Sequence, residues 1–129
     1  MDSPKEEKVW REVKYSQRFL NAYHGLHVFW HTTRQRTVYI VSTTIVIILG
    51  FYLHVSNFEW IGLVFSIGFV IVAEAFNTAI EIDIDLTSPQ YHPYARDTKD
   101  VAAGAVSLSV CTALIVGLII FLPKIIVNF

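Results

Sequence analysis

Glu74, Asn77, Glu81 and Asp85 follow one another at steps of three, four and four residues. On a helix turning about 100° per residue they fall within about 80° of arc, so they share one stripe. Asp83 falls on the opposite side and reads as a residue facing headgroups or a neighbouring helix. The residues leading up to the stripe are apolar. An ionisable group inside such a run is expensive and marks a functional site by default. The alternative for Glu74 alone is a protonated carboxyl bonded to a neighbouring helix, and four polar groups on one stripe weigh against it. Carboxylates and an amide in this pattern suit cation and phosphate chemistry. Mg²⁺ takes one or two carboxylates and fills its remaining positions with water and phosphate oxygens. Phosphoryl transfer needs a positioned metal, a cation on the phosphates and a group that accepts the attacking hydroxyl's proton. Arg96 and Lys99 supply the cations, with His92, Asp97 and Asp100 beside them. They stand just before an apolar run whose first backbone amides favour anions.

The elements that position these groups belong to a membrane. Of 129 residues, 53% are hydrophobic and 16% charged, where a soluble domain carries about 25% charged residues. Disorder is excluded by the apolar content. A disulfide scaffold is excluded because Cys111 is the only cysteine. A net charge of −1 supplies no field for a phosphate backbone, so no nucleic-acid partner is expected. Apolar blocks cover residues 38–53, 60–80 and 101–122, and a span takes about 20 such residues. The first block is short and needs its flanks or a thinned bilayer. The expectation is an all-α membrane protein forming a single domain over 1–129, with transmembrane helices at about 37–55, 60–80 and 99–122. No small-residue cleavage site precedes the first block, so a signal peptide is not expected.

Seven of the ten Lys and Arg residues precede Val38, and Arg96 and Lys99 lie in the second link. The positive-inside rule puts the N-terminus and that link in the cytoplasm. Within the arm 1–36, Trp10 and Val13 share one face, as do Phe19, Tyr23, Leu26 and Trp30. Arg11, Lys14 and Arg18 fall elsewhere, the pattern of an amphipathic helix lying in the interface. Ala105, Ser109, Ala113 and Gly117 repeat every four residues, a seam along which helices can approach closely. Cys111, in the same apolar run, reads as inert.

The string Glu74-Ala-Phe-Asn77-Thr-Ala-Ile-Glu81, then Asp85, then Arg96-Asp-Thr-Lys99-Asp100-Val-Ala-Ala-Gly-Ala-Val106 resembles the prokaryotic diacylglycerol kinase and undecaprenol kinase family. Its signature reads ExxNTAIExxxD and, after a short loop, AKDxAAxAV. The resemblance implies a small membrane kinase, homotrimeric with active sites shared between protomers, in a bacterial inner membrane. It implies transfer of the ATP γ-phosphate to a lipid alcohol, undecaprenol or diacylglycerol, with Mg²⁺ and on the cytoplasmic side. The wording of the motifs is closer to the undecaprenol branch. Carried onto this sequence, Glu74 corresponds to the general base and Asn77 to the asparagine that helps hold the phosphates. Glu81 corresponds to the metal ligand and Asp85 to an aspartate near the nucleotide. Lys99 corresponds to the lysine that neutralises phosphate charge, and Asp100 to its nucleotide-contacting neighbour. Arg96 joins the phosphate-binding set by its charge.

One departure stands out. The family carries a second metal-binding glutamate before the first membrane helix, in a segment resembling TERNFRIH. Here Thr32 or Thr33 takes that place, and no Asp or Glu occurs between Val13 and Asn57. The metal is then expected to rely on Glu81, nucleotide phosphates and water. Otherwise the scaffold serves a lipid-phosphate phosphatase, a phosphotransferase with another donor, or a non-catalytic assembly protein. His24, His27 and His31 share one helix face, which makes His31 an auxiliary metal-ligand candidate. Interfacial contact with headgroups is the favoured reading of that face.

Overall fold

In the computed structural model, residues 14–129 are described. They form four helices: α1 Tyr15–Thr32, α2 Arg36–Tyr52, α3 Asn57–Thr87 and α4 Pro93–Asn128. No strand occurs among the described residues, in keeping with the all-α expectation. Trp10, Arg11, Val13 and the rest of the arm's first part lie outside them. The chain divides into two units, the segment through Thr32 and residues 33–129. In the first, α1 holds the expected stripe, with Phe19, Tyr23, Leu26 and Trp30 all exposed. The Arg18 guanidinium lies 5.2 Å from the centroid of the Tyr15 ring.

The second unit is set by its turns. Thr33–Gln35 form a short break before α2. At the far end of α2, the His54 amide donates to Phe51 O and the Val55 amide to Gly50 O, at 3.3 and 3.0 Å. This paired closure requires a left-handed residue between helix and link. His54 fills that position with φ 52°, a place where glycine is the usual choice. Two residues later Ser56 and Glu59 cap α3 reciprocally. The Glu59 carboxylate accepts from the Ser56 amide at 2.8 Å, and the Ser56 hydroxyl accepts from the Glu59 amide at 3.3 Å. This S-x-x-E capping box satisfies two donors that a helix start leaves unpaired. At α4, Pro93 occupies the first turn, where its missing N–H costs nothing, and His92 Nδ1 accepts from the Tyr94 amide at 3.2 Å.

All three helices of this unit outrun or fall short of the apolar blocks. α3 has 31 residues and α4 has 36, about 46 and 54 Å at 1.5 Å per residue. Both are long and apolar enough to cross a membrane. The end of α3 therefore carries Glu81 to Asp85 beyond the apolar stretch on continuous helix. α4 runs on through Pro123, where composition suggested a stop near residue 122. α2 has only 17 residues, about 26 Å, so it reaches across a core of about 30 Å only with its flanks or a thinned bilayer.

α3 lies along α4, and α2 meets α3 more locally. The apolar core is Leu53, Val55, Leu63, Ile120 and Phe121, with Val46, Leu49, Trp60 and Val116 around it. Gly62 lets the Ile120 and Val116 side chains come within 3.6 and 3.7 Å of where its Cβ would stand. A Cβ on Gly50 would fall inside the Trp60 indole, so that close approach demands glycine. Lys124 pairs with Glu59 at 3.1 Å and ties the end of α4 to the start of α3. Ser109 on the predicted small-residue seam is fully buried, with Ala113 and Gly117 partly so and Ala105 exposed. The outward faces are strongly apolar, with Phe58, Phe65, Phe76, Leu108 and Leu118 all exposed. A surface of that kind belongs against lipid or another chain.

Candidate active site

The buried residues of α3 change character along the helix. Leu63 and Val70 come first, followed by Glu74, Asn77 and Thr78. The helical phase that seats Leu63 in the core also turns Glu74 and Asn77 inward, about three and four turns later. Glu74 is 7% exposed and Asn77 8%. Glu81 and Asp85 continue the stripe but stand exposed, because the helix has by then left its apolar surroundings. Asp83 is exposed as well; its main-chain carbonyl accepts from the Thr87 hydroxyl at 2.8 Å, and its carboxylate bonds to no side chain among the described residues.

Two hydrogen bonds organise the buried part. The Thr33 hydroxyl donates to Glu74 Oε1 at 3.1 Å, across 41 residues of sequence. Thr33 is 6% exposed, so this contact is shielded from water. Of Thr32 and Thr33, the buried Thr33 is thus the one whose side chain reaches Glu74, while Thr32 is exposed. The Tyr39 hydroxyl bonds to the Gln35 side-chain oxygen at 3.3 Å and also faces the Glu74 carboxyl. One turn along α3, the Asn77 amide nitrogen donates to Glu81 Oε1 at 3.1 Å. Asn77 Oδ1 is buried and accepts from no group among the described residues. A buried acceptor left unpaired costs on the order of 1–3 kcal/mol, and that cost falls when a cation or donor arrives. The Asn77 amide turns its nitrogen, not Oδ1, toward Glu81, so the exposed Glu81 carboxylate is the ligand that this part of the stripe offers a cation. One carboxylate completed by water and phosphate oxygens is a set that Mg²⁺ accepts.

Beyond Glu81, the end of α3 and the start of α4 enclose an open cleft of about 340 Å³, lined among others by Asp85, Ser88, Tyr91, Arg96, Lys99 and Asp100. Lys99 forms a short ion pair with Asp85, and Arg96 pairs with Asp100 at 3.5 Å. Arg96, Asp100 and Asp85 are well exposed and Lys99 is half-buried, its side chain 38% exposed; pairs open to water hold each other by about 1 kcal/mol. An entering phosphate can therefore take Lys99 and Arg96 from their carboxylates at little cost.

The expected site residues thus fall into two groups along one side of the unit. Glu74, Asn77 and Glu81 gather at the edge of the buried region, and Asp85, Arg96, Lys99 and Asp100 line the cleft beyond. His24, His27 and His31 belong to α1, where all are exposed and the His27 and His31 rings stand 4.3 Å apart. Among the described residues no cluster of three His, Cys, Asp or Glu side chains is arranged to hold a metal. Two contacts were missed from the sequence. The Asp85–Lys99 pair joins residues on different helices, and the Thr33–Glu74 bond joins residues in different apolar neighbourhoods.

The chain matches the family described as prokaryotic diacylglycerol kinase over residues 20–121. It is 36% identical over 111 residues to the undecaprenol kinase of Bacillus subtilis (strain 168), covering 86% of this chain and 90% of that protein. It is 35% identical over 106 residues to a diacylglycerol kinase of Synechocystis, covering 81% of this chain and 61% of the other. A diacylglycerol kinase of Helicobacter pylori is 30% identical over 81 residues, 63% of each protein. No solved structure matches the chain significantly.

Proposed function

Since the chain belongs to the prokaryotic diacylglycerol kinase family and is a lipid kinase of the membrane, we propose that Glu74 is its general base and that the cleft at Lys99 receives ATP. The family implies ATP as the phosphoryl donor, and Lys99 and Arg96 meet the charge of its phosphates. Glu81, the exposed carboxylate of the stripe, would hold a Mg²⁺ ion, which would supply positive charge to the phosphates of the nucleotide. The lipid hydroxyl approaches from the apolar side, where Glu74 lies at the boundary of the buried surface. Its proton passes to the free Glu74 oxygen as the hydroxyl oxygen bonds to the γ-phosphorus. The bond from that phosphorus to the β–γ bridging oxygen breaks, and ADP leaves with the electron pair. Asn77 keeps Glu81 oriented through its amide, and Asp85 and Asp100 hold the two cations in register between turnovers. The observation that carries this reading is the succession along one helix face of a buried carboxyl, an orphan amide oxygen, an exposed carboxylate and a cationic cleft.

A polyprenol such as undecaprenol is the preferred acceptor. It is supported by the relative matched over 90% of its length, whose name is undecaprenol kinase. The enzyme works at the cytoplasmic face of a bacterial inner membrane, with its N-terminus in the cytoplasm. The seven basic residues before Val38 support that orientation. α2 is the third crossing. A homotrimer with sites shared between protomers is supported by the apolar faces left open on α3 and α4. The test is direct. The purified protein in lipid vesicles receives labelled ATP and Mg²⁺ with undecaprenol, diacylglycerol or a lipid phosphate. Label in undecaprenyl phosphate is expected, above that in phosphatidic acid. Release of phosphate from the lipid phosphate, with no labelled lipid formed, would contradict the proposed direction of transfer.

A further inference from the structure

We propose that Thr33 is a positioning residue for this kinase, fixing the Glu74 carboxyl so that one oxygen is held and the other is presented to the lipid hydroxyl. The inference deepens the reading of Glu74 as base and rests on it. A glutamate has three side-chain torsions, and a base must meet its proton within a few tenths of an ångström. Threonine is branched at Cβ and restricted at its single torsion, which makes it a stiff anchor. Here that anchor stands in the turn before α2, is itself buried, and donates to Oε1 at 3.1 Å. A hydroxyl with one proton to give occupies one carboxylate oxygen, and the Tyr39 hydroxyl, which also faces this carboxyl, gives its own proton to Gln35 Oε1 at 3.3 Å, so neither claims Oε2. Hydrogen bonds to an ionised group are about twice as strong as those between neutral ones, and burial shields this one from water. The same contact joins the start of α2 to the middle of α3, so the position of the base is coupled to the packing of those two helices. Thr33 thereby does work of a different kind from the metal-binding glutamate that the family pattern puts there.

Three variants test this, each measured for turnover and for the KM of nucleotide and of lipid. Thr33→Val keeps the shape and removes the donor. Its kcat is expected to fall about tenfold or more, with both KM values within about twofold of the parent, because positioning acts on the chemical step. Thr33→Ser restores the hydroxyl and is expected to recover kcat to within about threefold. Thr33→Ala, paired with Thr33→Ser, gives the same comparison if the valine variant does not fold. A Thr33→Val (or Thr33→Ala) enzyme with the parent's kcat, a loss confined to KM, or a serine variant as poor as the one without a hydroxyl would overturn the proposal. Glu74→Gln, assayed alongside, separates the two claims. If Glu74→Gln is inactive while Thr33→Val matches the parent, only the role of Thr33 fails. If Glu74→Gln turns over like the parent, the base itself is wrong and Thr33 has nothing to position.

Discussion

The two ends of the α3–α4 pair bury opposite kinds of side chain. At the Trp60 end, Leu53, Val55, Leu63, Ile120 and Phe121 close on one another, with the Ser56–Glu59 cap and the Lys124–Glu59 pair at the rim. At the Glu74 end the buried groups are Thr33, Glu74, Asn77 and Thr78, and one of their oxygens has no partner among the described residues. At the first end no buried side-chain polar atom among the described residues lacks a partner. The second keeps an open acceptor and two loosely held cations next to a cleft. A chain stabilised by its first end can carry strain and unpaired polarity at the second, and chemistry needs the second.

Substitutions at the two ends should therefore fail in different ways. The largest contrast lies within α3 itself. Glu81→Gln removes a carboxylate beside Asn77 and is expected to lower turnover by about a hundredfold or more, since positioned charge dominates phosphoryl transfer. Asp83→Asn, two residues on and with its carboxyl unengaged, should stay within about threefold. Kinase assays of both variants at saturating ATP check this, and the reverse order would mean that the stripe has been assigned to the wrong face. At the other end, Leu63→Ala opens a cavity in the core. A loss on the order of 2 kcal/mol is expected, read as a lower unfolding midpoint in detergent with kcat of the folded enzyme unchanged. Gly50→Ala should act in the same direction by pushing a Cβ into the Trp60 ring, an overpacking cost of about 1–3 kcal/mol. The smallest effect belongs to Lys124→Met. The Lys124–Glu59 pair is partly exposed, so its loss should cost less than about 1 kcal/mol and shrink further in high salt.

Much of this arrangement could be read from spacing. The steps from Glu74 to Asp85 settle a shared stripe because helical phase is local, and the structure keeps Glu74 and Asn77 on the inward side of it. Where the stripe leaves the apolar surroundings is not local. The apolar run ends at residue 80, yet α3 continues to Thr87, held by backbone bonds that hydropathy does not register. The Ser56-x-x-Glu59 pattern was legible as a helix start and went unread. His54 in a left-handed turn was not legible, since its conformation follows from the closure of α2 and not from a preference of histidine. Thr33 was the hardest case. Its neighbours in sequence say only that a carboxylate is missing, and its partner 41 residues away emerges only when α2 and α3 pack together.

The central claim is that Glu74 accepts the proton of a lipid alcohol. Glu74→Gln keeps the size of the side chain and its bond to the Thr33 hydroxyl while removing the base. The decisive measurement is the rate of label transfer from ATP to undecaprenol by parent and Glu74→Gln in the same vesicles, with equal oligomeric state and unfolding midpoint. The account predicts transfer by the parent and a loss of about a thousandfold or more in the variant. Transfer at the parent's rate by Glu74→Gln would contradict it.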